Sequence, residues 1–590
     1  MNKNEIISRA EKYATEEQNE FFRNEIKKLI AENNFTELED RFYRNLEFGT
    51  GGMRGIIGGG TNRINTYVIK NATQGLANYF IKTFPEKAAK NELSAVIAYD
   101  SRHYSDVFAE ATACIFAANG FKTYLFSSLR PTPELSFAIR ELGCDTGVVV
   151  TASHNPPQYN GYKAYWNDGA QVIEPHDAGI INEVNKVDSI KIMSPAEAIS
   201  CGKLIMIDDE IDNKYQAMVK SKLFRPELIR EKAKEVKIIY TPLHGTGALH
   251  VESILGDMGL NVITVPEQRE GNGDFPTVDK PNPEEAEALK MAIELGEIEN
   301  ADVVMATDPD SDRFGIAVPN KEGKFVLVSG NQIGVLLTDY IIFSRNELNI
   351  MPKNPAIIRS IVTSTMSDKI CEKHNVRLVE CLTGFKWIAS EMAKFEQTGS
   401  NTYIFGFEES YGYNIENEVR DKDGISAAAL CAEMTLFWRA KGKTLLERIN
   451  ELYCEYGYFD DRTISKTFLG ASGVETMNNI MSKLRNEGLK TLAGYKVEKI
   501  RDIGTSTIFN PKNPKEKTII SFPKSNVLQF FLENGTIVSA RPSGTEPKIK
   551  FYINATTPVI NGNVKDASKK SNTLCDAITT EINAILDVTK

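Results

Sequence analysis

Short apolar runs of strand length alternate along most of the chain with stretches in which apolar residues recur every three or four positions. "AVIAYD" (95–100), "TGVVVTAS" (146–153), "VKIIYTP" (236–242), "ADVVMATD" (301–308), "AIIRSIVTS" (356–364) and "TYIFGFEES" (402–410) have the strand pattern. Residues 105–119, 284–296 and 425–440 have the helical one. This alternation predicts α/β layers around largely parallel sheets. It recurs in three blocks, with seams near residues 220–235, 325–355 and 455–465, where the composition turns charged and loop-like. The last block departs from it. "GTIVSARPSGTEPKIKFYINAT" (535–556) reads as a hairpin with an embedded loop, followed by a C-terminal helix, which predicts a smaller α+β domain. The first thirty residues read as amphipathic helix on the outside of the first domain.

Length agrees with several blocks. A single core stops growing at roughly 250 to 300 residues, so 590 residues predict about four domains. A hydrophobic content of 42% with 25% charged residues is that of an ordinary globular protein, and a net charge of −10 argues against a large nucleic-acid footprint. An anionic ligand must therefore be gathered by local cations and backbone amides. The eight cysteines are scattered without a CxxC pair, which indicates neither a zinc site nor a disulfide framework and fits a reducing cytoplasm. No apolar run approaches the ~18 residues of a membrane span, and no membrane association is expected.

The sharpest chemical signal is "TDPDSDR" (307–313), where Asp308, Asp310 and Asp312 are spaced to converge on one hard cation. An EF-hand would need glycine at loop position six and glutamate at twelve, and those positions hold Arg313 and Pro319. Three carboxylates with open coordination positions suit Mg²⁺ in phosphate chemistry, whereas the bland alternative is an Asp-rich turn at a strand end.

Ser153 and His154 follow the strand-like run "TGVVVTAS" without forming a GxSxG elbow. Adjacent side chains diverge in extended chain, so His154 is a poor base for a serine triad; the carboxyl end of a strand is nevertheless where α/β sheets place ligands. "RPSGTEPK" (541–548) combines Arg541, Ser543, Gly544, Thr545 and Lys548, donors suited to a dianionic phosphate. "GFEES" (406–410) ends a strand with Glu408, Glu409 and Ser410, groups that can orient sugar hydroxyls. "FGTGGMRGIIGGG" (48–60) presents Arg54 but fits no dinucleotide fingerprint, and "GKT" (442–444) lacks the upstream P-loop glycine because Phe437 stands there. "LTGFKW" and "RDKDG" contribute Lys386 and Lys422, each of which also reads as ordinary solvated surface.

In this order "TASHNP…NGYK", "DPDSDR", "GFEES" and "RPSGTEPK" resemble the α-D-phosphohexomutase superfamily, over residues 48–552. "FGTGGMRG", "HNPPQYNGYKAYWNDGAQVIEPHD" and "LTGFKW" are most similar to its long phosphoglucomutase branch, which includes phosphopentomutases. The resemblance implies four domains around a central cleft: N-terminal helices and phosphoserine domain (1–225), metal-binding domain (226–330), sugar-binding domain (331–458) and a C-terminal phosphate-binding α+β domain (459–590). It implies that Ser153 is phosphorylated and binds Mg²⁺ with Asp308, Asp310 and Asp312, and that Arg313 contacts the phosphoserine. Glu408 and Ser410 would hold the sugar, and Arg541, Ser543, Gly544, Thr545 and Lys548 the non-reacting phosphate. Arg54, His154, Lys163 and Lys422 fall at positions tied to the reacting phosphoryl group or to proton transfer. Lys163 could act as base if burial and neighbouring cations depress its pKa; Arg54 and His154 compete for that role.

The implied activity is interconversion of glucose 1-phosphate and glucose 6-phosphate through glucose 1,6-bisphosphate, with mannose phosphates as further substrates. Phosphopentomutase and, behind it, phosphoglucosamine mutase are the alternatives. The implied partners are small sugar phosphates.

Overall fold

The computed structural model describes residues 2–49, 51–468, 472–543 and 548–587. The chain divides into two compact units. One comprises residues 1–328, 392–399 and 411–441, the other residues 329–391, 400–410 and 442–590.

In the first unit a mixed sheet runs in the order 52–56, 159–166, 146–150, 94–99, 122–126, 204–207. The strands Ser94–Tyr99, Lys122–Phe126, Thr146–Val150 and Leu204–Ile207 pair in parallel, and helices Thr66–Thr83 and Ser105–Ala118 cover the sheet. Strand Thr146–Val150 is buried on both faces, which explains its unbroken apolar run. A second sheet orders 325–328, 314–319, 303–307, 237–241, 261–264, with Val303–Thr307 central and fully buried. The chain turns back from it through residues 308–313 into antiparallel strand Phe314–Pro319, with Thr307 opposite Phe314.

The N-terminal segment differs from a single long helix. Helices Lys3–Glu16 and Glu20–Ala31 are separate because Asn19 caps the second, accepting from the Phe21 amide, while the buried Glu17 carboxylate takes a 2.8 Å bond from Thr66 Oγ1. Ile6, Ala10, Tyr13, Ile26, Leu38 and Phe42 form their own small core.

In the second unit strand Pro355–Ser360 is flanked in parallel by Arg377–Cys381 and Thr402–Glu408. Helix Gly330–Glu347 begins in a Ser329/Gln332 capping box and lies close on that sheet: a Cβ on Gly334 would meet the Phe407 ring at 2.1 Å. The strand expected to reach residue 364 stops at Ser360, whose hydroxyl bonds Thr363 Oγ1 at 2.7 Å and turns the chain toward helix Met366–Lys373. The C-terminal part is an antiparallel sheet ordered 458–467, 548–557, 537–542, 528–532, 495–502, 507–509, 517–519. Helix Val564–Asp587 packs Cys575, Ile578 and Ile582 against it. The α/β reading with a distinct α+β end therefore holds. Among the described residues no helix is long and apolar enough to cross a membrane.

Candidate active site

The first unit concentrates charge where two strands end. After Val150 the chain leaves the sheet, and Ser153 takes a left-handed backbone, φ 51°, a conformation that costs a non-glycine residue about 1–3 kcal/mol and persists only when its surroundings impose it. Its amide donates to Thr151 Oγ1 at 2.8 Å and its hydroxyl to Asp308 Oδ2 at 2.6 Å. The turn also corrects the expected divergence of neighbours: Ser153 Oγ and His154 Nδ1 lie 3.2 Å apart. Burial, then the charges of Arg313 and Arg54, push the imidazole well below its usual range and keep it neutral.

The aspartate loop is held from several sides. Ser311 adopts φ 55° and donates its amide to Asp308 O at 2.9 Å, while the Arg313 amide donates to Asp308 Oδ1 at 3.0 Å. Thr132 binds Asp310 twice, amide to carbonyl at 2.9 Å and hydroxyl to carboxylate at 2.8 Å. Gly245 and Gly424 let neighbouring backbone approach, since a Cβ would meet Pro309 Cα at 2.3 Å and Arg313 O at 2.6 Å respectively. As a result Asp308, Asp310 and Asp312 each offer an oxygen within 4.8 Å of the others, and all three are buried.

Lys163 Nζ sits 2.8 Å from Asp310 and 3.2 Å from Asp312, and Lys422 Nζ sits 3.1 Å from Asp312 and 3.0 Å from Asp421. Burial opposes charge on Asp312, but Lys422, Lys163 and Arg313 overcome it and hold its carboxyl well below the usual range. Burial, Asp310 and Asp312 instead drive Asp308 well up. The three acids thus face two lysines and Arg313, and Lys422 is shared with Asp421. Among the described residues, Asp310 Oδ1 and Asp312 Oδ1 are moreover buried without a hydrogen-bond partner. Buried, unpaired carboxylate oxygens are costly, and a hard divalent cation is what they fit, so the cluster can hold a metal. Lys163 corrects another expectation: burial alone would depress its pKa, but Asp310 and Asp312 outweigh burial and raise it. Arg54 is exposed and donates to Asn155 Oδ1 at 3.1 Å.

A second constellation lies in the other unit. Glu408 ends strand Thr402–Glu408, and its Oε1 accepts from the Gly384 amide at 2.5 Å, which joins "GFEES" to "LTGFKW". Glu409 accepts from Ser360 Oγ at 3.0 Å and Ser410 Oγ at 3.1 Å. Lys386 lies over the Trp387 ring, 5.5 Å from its centroid. Arg541 closes strand Ile537–Pro542, and Lys548 opens strand Lys548–Thr557; the Ser543 amide donates to Lys548 O at 2.7 Å across the mouth of the loop between them. Gly544 and Thr545 lie outside the described residues.

Sequence reading missed several residues here. Tyr552 is buried beside both loops of the second unit, its hydroxyl bonded by Arg541 and its pKa raised by burial and then by Glu409. Asp421 accepts from Tyr165 Oη at 2.7 Å and so anchors Lys422's neighbourhood. Thr132 and the buried Asp100 and Arg102 also surround the first centre. Their only signal was "YDSR" and "RPTPE" at the ends of strand-like runs, and it names no partner.

Family profiles match four successive stretches of the chain. "Phosphoglucomutase/phosphomannomutase, alpha/beta/alpha domain I" covers residues 45–191, domain II 213–323, domain III 329–456 and the C-terminal domain 483–570. The chain is 35% identical over 518 residues to a phosphoglucomutase of Staphylococcus haemolyticus, spanning 87% of this chain and 91% of that one. It is 34% identical over 588 residues to a phosphopentomutase of Homo sapiens, spanning 94% and 92%. In structure it is similar to the open form of pp63/parafusin, a phosphoglucomutase from Paramecium, with a TM-score of 0.67 at 19% identity over 93% of this chain and 95% of that one, a likeness of fold.

Proposed function

Because the chain belongs to the phosphoglucomutase/phosphomannomutase family, whose members are mutases, we propose that it interconverts glucose 1-phosphate and glucose 6-phosphate by way of a phosphorylated Ser153 and glucose 1,6-bisphosphate. Mannose phosphates are further substrates in this reading. The observation that carries it is Ser153 Oγ, 2.6 Å from Asp308 in a buried cluster with unpaired carboxylate oxygens.

The assignment of roles follows. Residues 1–225 carry the phosphoserine, 226–330 the metal ligands, 331–458 the sugar loop and 459–590 the distal phosphate loop. Asp308, Asp310 and Asp312, with an oxygen on Ser153, would hold Mg²⁺. Bound there, a divalent ion spreads the negative charge of a phosphoryl group in transfer.

In the forward step a sugar hydroxyl oxygen attacks phosphorus, the bond from phosphorus to Ser153 Oγ breaks, and the hydroxyl proton passes to a base. The resulting bisphosphate turns over, and Ser153 retrieves phosphate from the other position. Lys163, kept charged by Asp310 and Asp312, serves the phosphoryl oxygens together with Arg54, Arg313 and Lys422. His154, 3.2 Å from Oγ, is the proton acceptor in this reading on geometry. Glu408 and Ser410 orient sugar hydroxyls with Lys386 beside them, and Arg541, Ser543, Gly544, Thr545 and Lys548 bind the phosphate that does not react.

Phosphopentomutase is the second reading, favoured by the human relative that spans 94% of the chain. A coupled assay on glucose 1-phosphate, mannose 1-phosphate, glucosamine 1-phosphate and ribose 1-phosphate, with and without the matching bisphosphate, separates them. The highest kcat/KM is expected with glucose 1-phosphate, and a higher value with ribose 1-phosphate would replace the first reading by the second.

A further inference from the structure

One arginine outside every recognised motif holds the serine loop. Strands Thr146–Val150 and Tyr159–Trp166 are antiparallel neighbours, but the connection between them is too long for a tight hairpin and makes few backbone bonds of its own. Its carbonyls converge on Arg102. Nη2 donates to Ser153 O at 2.5 Å and to Asn155 O, and Nη1 donates to Pro156 O and Tyr159 O, both at 2.9 Å. One planar fork therefore adds four donors on four carbonyls to the loop's own two turn bonds, Asn155 amide to Ala152 O at 3.2 Å and Tyr159 amide to Pro156 O at 3.1 Å.

The fork is itself fixed. Arg102 is 2% exposed, its Nε lies 3.3 Å from Asp100 Oδ2, and its guanidinium lies over the Phe275 ring, 4.9 Å from the centroid. Asp100 reaches the same loop by a second route, accepting from Thr151 Oγ1 at 2.6 Å, and that same oxygen accepts the Ser153 amide at 2.8 Å. Ser153 is thus gripped through its carbonyl by Arg102 and through its amide by the Thr151–Asp100 link. This double hold imposes the left-handed backbone that turns Oγ toward Asp308. We propose that Arg102 is a positioning residue for phosphoryl transfer, its fork and the Asp100–Thr151 link together setting the place of Ser153 Oγ. The role rests on the phosphoserine reading above.

Lysine at 102 keeps the charge but has three donors and no fork, so it cannot serve four carbonyls. Arg102→Lys is compared with wild type and with Ser153→Ala, and Thr151→Val tests the other arm of the hold while leaving the fork in place, should Arg102→Lys fold poorly. Folded protein is quantified by thermal melts. Phosphate uptake on Ser153 from glucose 1,6-bisphosphate is followed by intact mass, and kcat and KM are measured with glucose 1-phosphate. Misplacement of a reacting atom by about 1 Å can cost on the order of 100-fold, so Arg102→Lys is expected to lose about 10- to 100-fold in kcat and in the phosphorylation rate, with KM within about threefold; Thr151→Val moves the same way by less. A residue that only stabilised the fold would lower the melting temperature and leave these rates, per folded molecule, unchanged. That result in Arg102→Lys, or wild-type rates in Thr151→Val, overturns the proposal alone. A wild-type enzyme that never acquires phosphate on Ser153, or turnover by Ser153→Ala, overturns the phosphoserine reading and the proposal with it.

Discussion

The two charged constellations are built differently. In the first unit Ser153 is 4% exposed and Asp308, Asp310 and Asp312 are at most 1%, each tied to groups brought from other strands and helices. In the second, Arg541, Ser543 and Lys548 are half-exposed, and the Ser543 amide bonds Lys548 O across the mouth of their loop. The difference matches the two tasks of the proposed mechanism. Stabilising charge that develops during transfer requires donors and charges fixed beforehand in a dry setting. Holding a phosphate that does not react requires affinity, and in a reaction that uses both ends of the sugar it must accept two orientations of one ligand.

Mutations that separate turnover from binding test this contrast. Ser153→Ala, which removes the proposed phosphate carrier, is expected to reduce kcat by roughly 10⁴-fold or more and to eliminate covalent phosphate in the intact mass. Asp310→Asn comes next, because it leaves Lys163 and Thr132 in place but removes a metal-facing charge; since even outer-shell partners of a metal cost about 10- to 100-fold, a loss of about 100-fold or more in kcat and a higher Mg²⁺ requirement in titration are expected. Arg541→Lys should act mainly on binding, raising KM by about 10-fold with kcat changed less, because a paired fork is lost while the charge remains. Equal losses of kcat in Arg541→Lys and Asp310→Asn would erase the distinction between the two sites.

The smallest effect concerns stability. Glu134, fully buried against His250 at 2.8 Å, has its pKa pushed up by burial to about 7 from 4.5. A raised carboxyl pKa means that the folded state binds the proton more tightly than the unfolded one, so this contribution is complete below pH 4.5 and is lost as pH rises to about 7. Glu134→Gln should therefore flatten the pH dependence of Tm across that window, with kcat unchanged. An unaltered slope would show that Glu134 does not titrate there.

Strand Val303–Thr307 and the hairpin of Ile537–Pro542 with Lys548–Thr557 were readable from local pattern, because period and turn chemistry are properties of neighbouring residues. The DPDSDR loop was readable as a metal candidate for the same reason: all its carboxylates lie within five residues. The approach of His154 to Oγ was not legible, since the left-handed turn at Ser153 that brings it there is held by groups distant in the chain. The direction of the Lys163 pKa was not legible, because the carboxylates that raise it lie about 150 residues further along the chain.

By itself, then, the sequence determined the α/β elements, the α+β end, the family and the residue types able to carry phosphate and cation. Only the tertiary structure decided which charges offset one another, which carboxylate oxygens stay unpaired, and that Arg102 grips the serine loop. These depend on long-range Coulomb and hydrogen-bond geometry, which falls off with distance in space and is indifferent to separation along the chain.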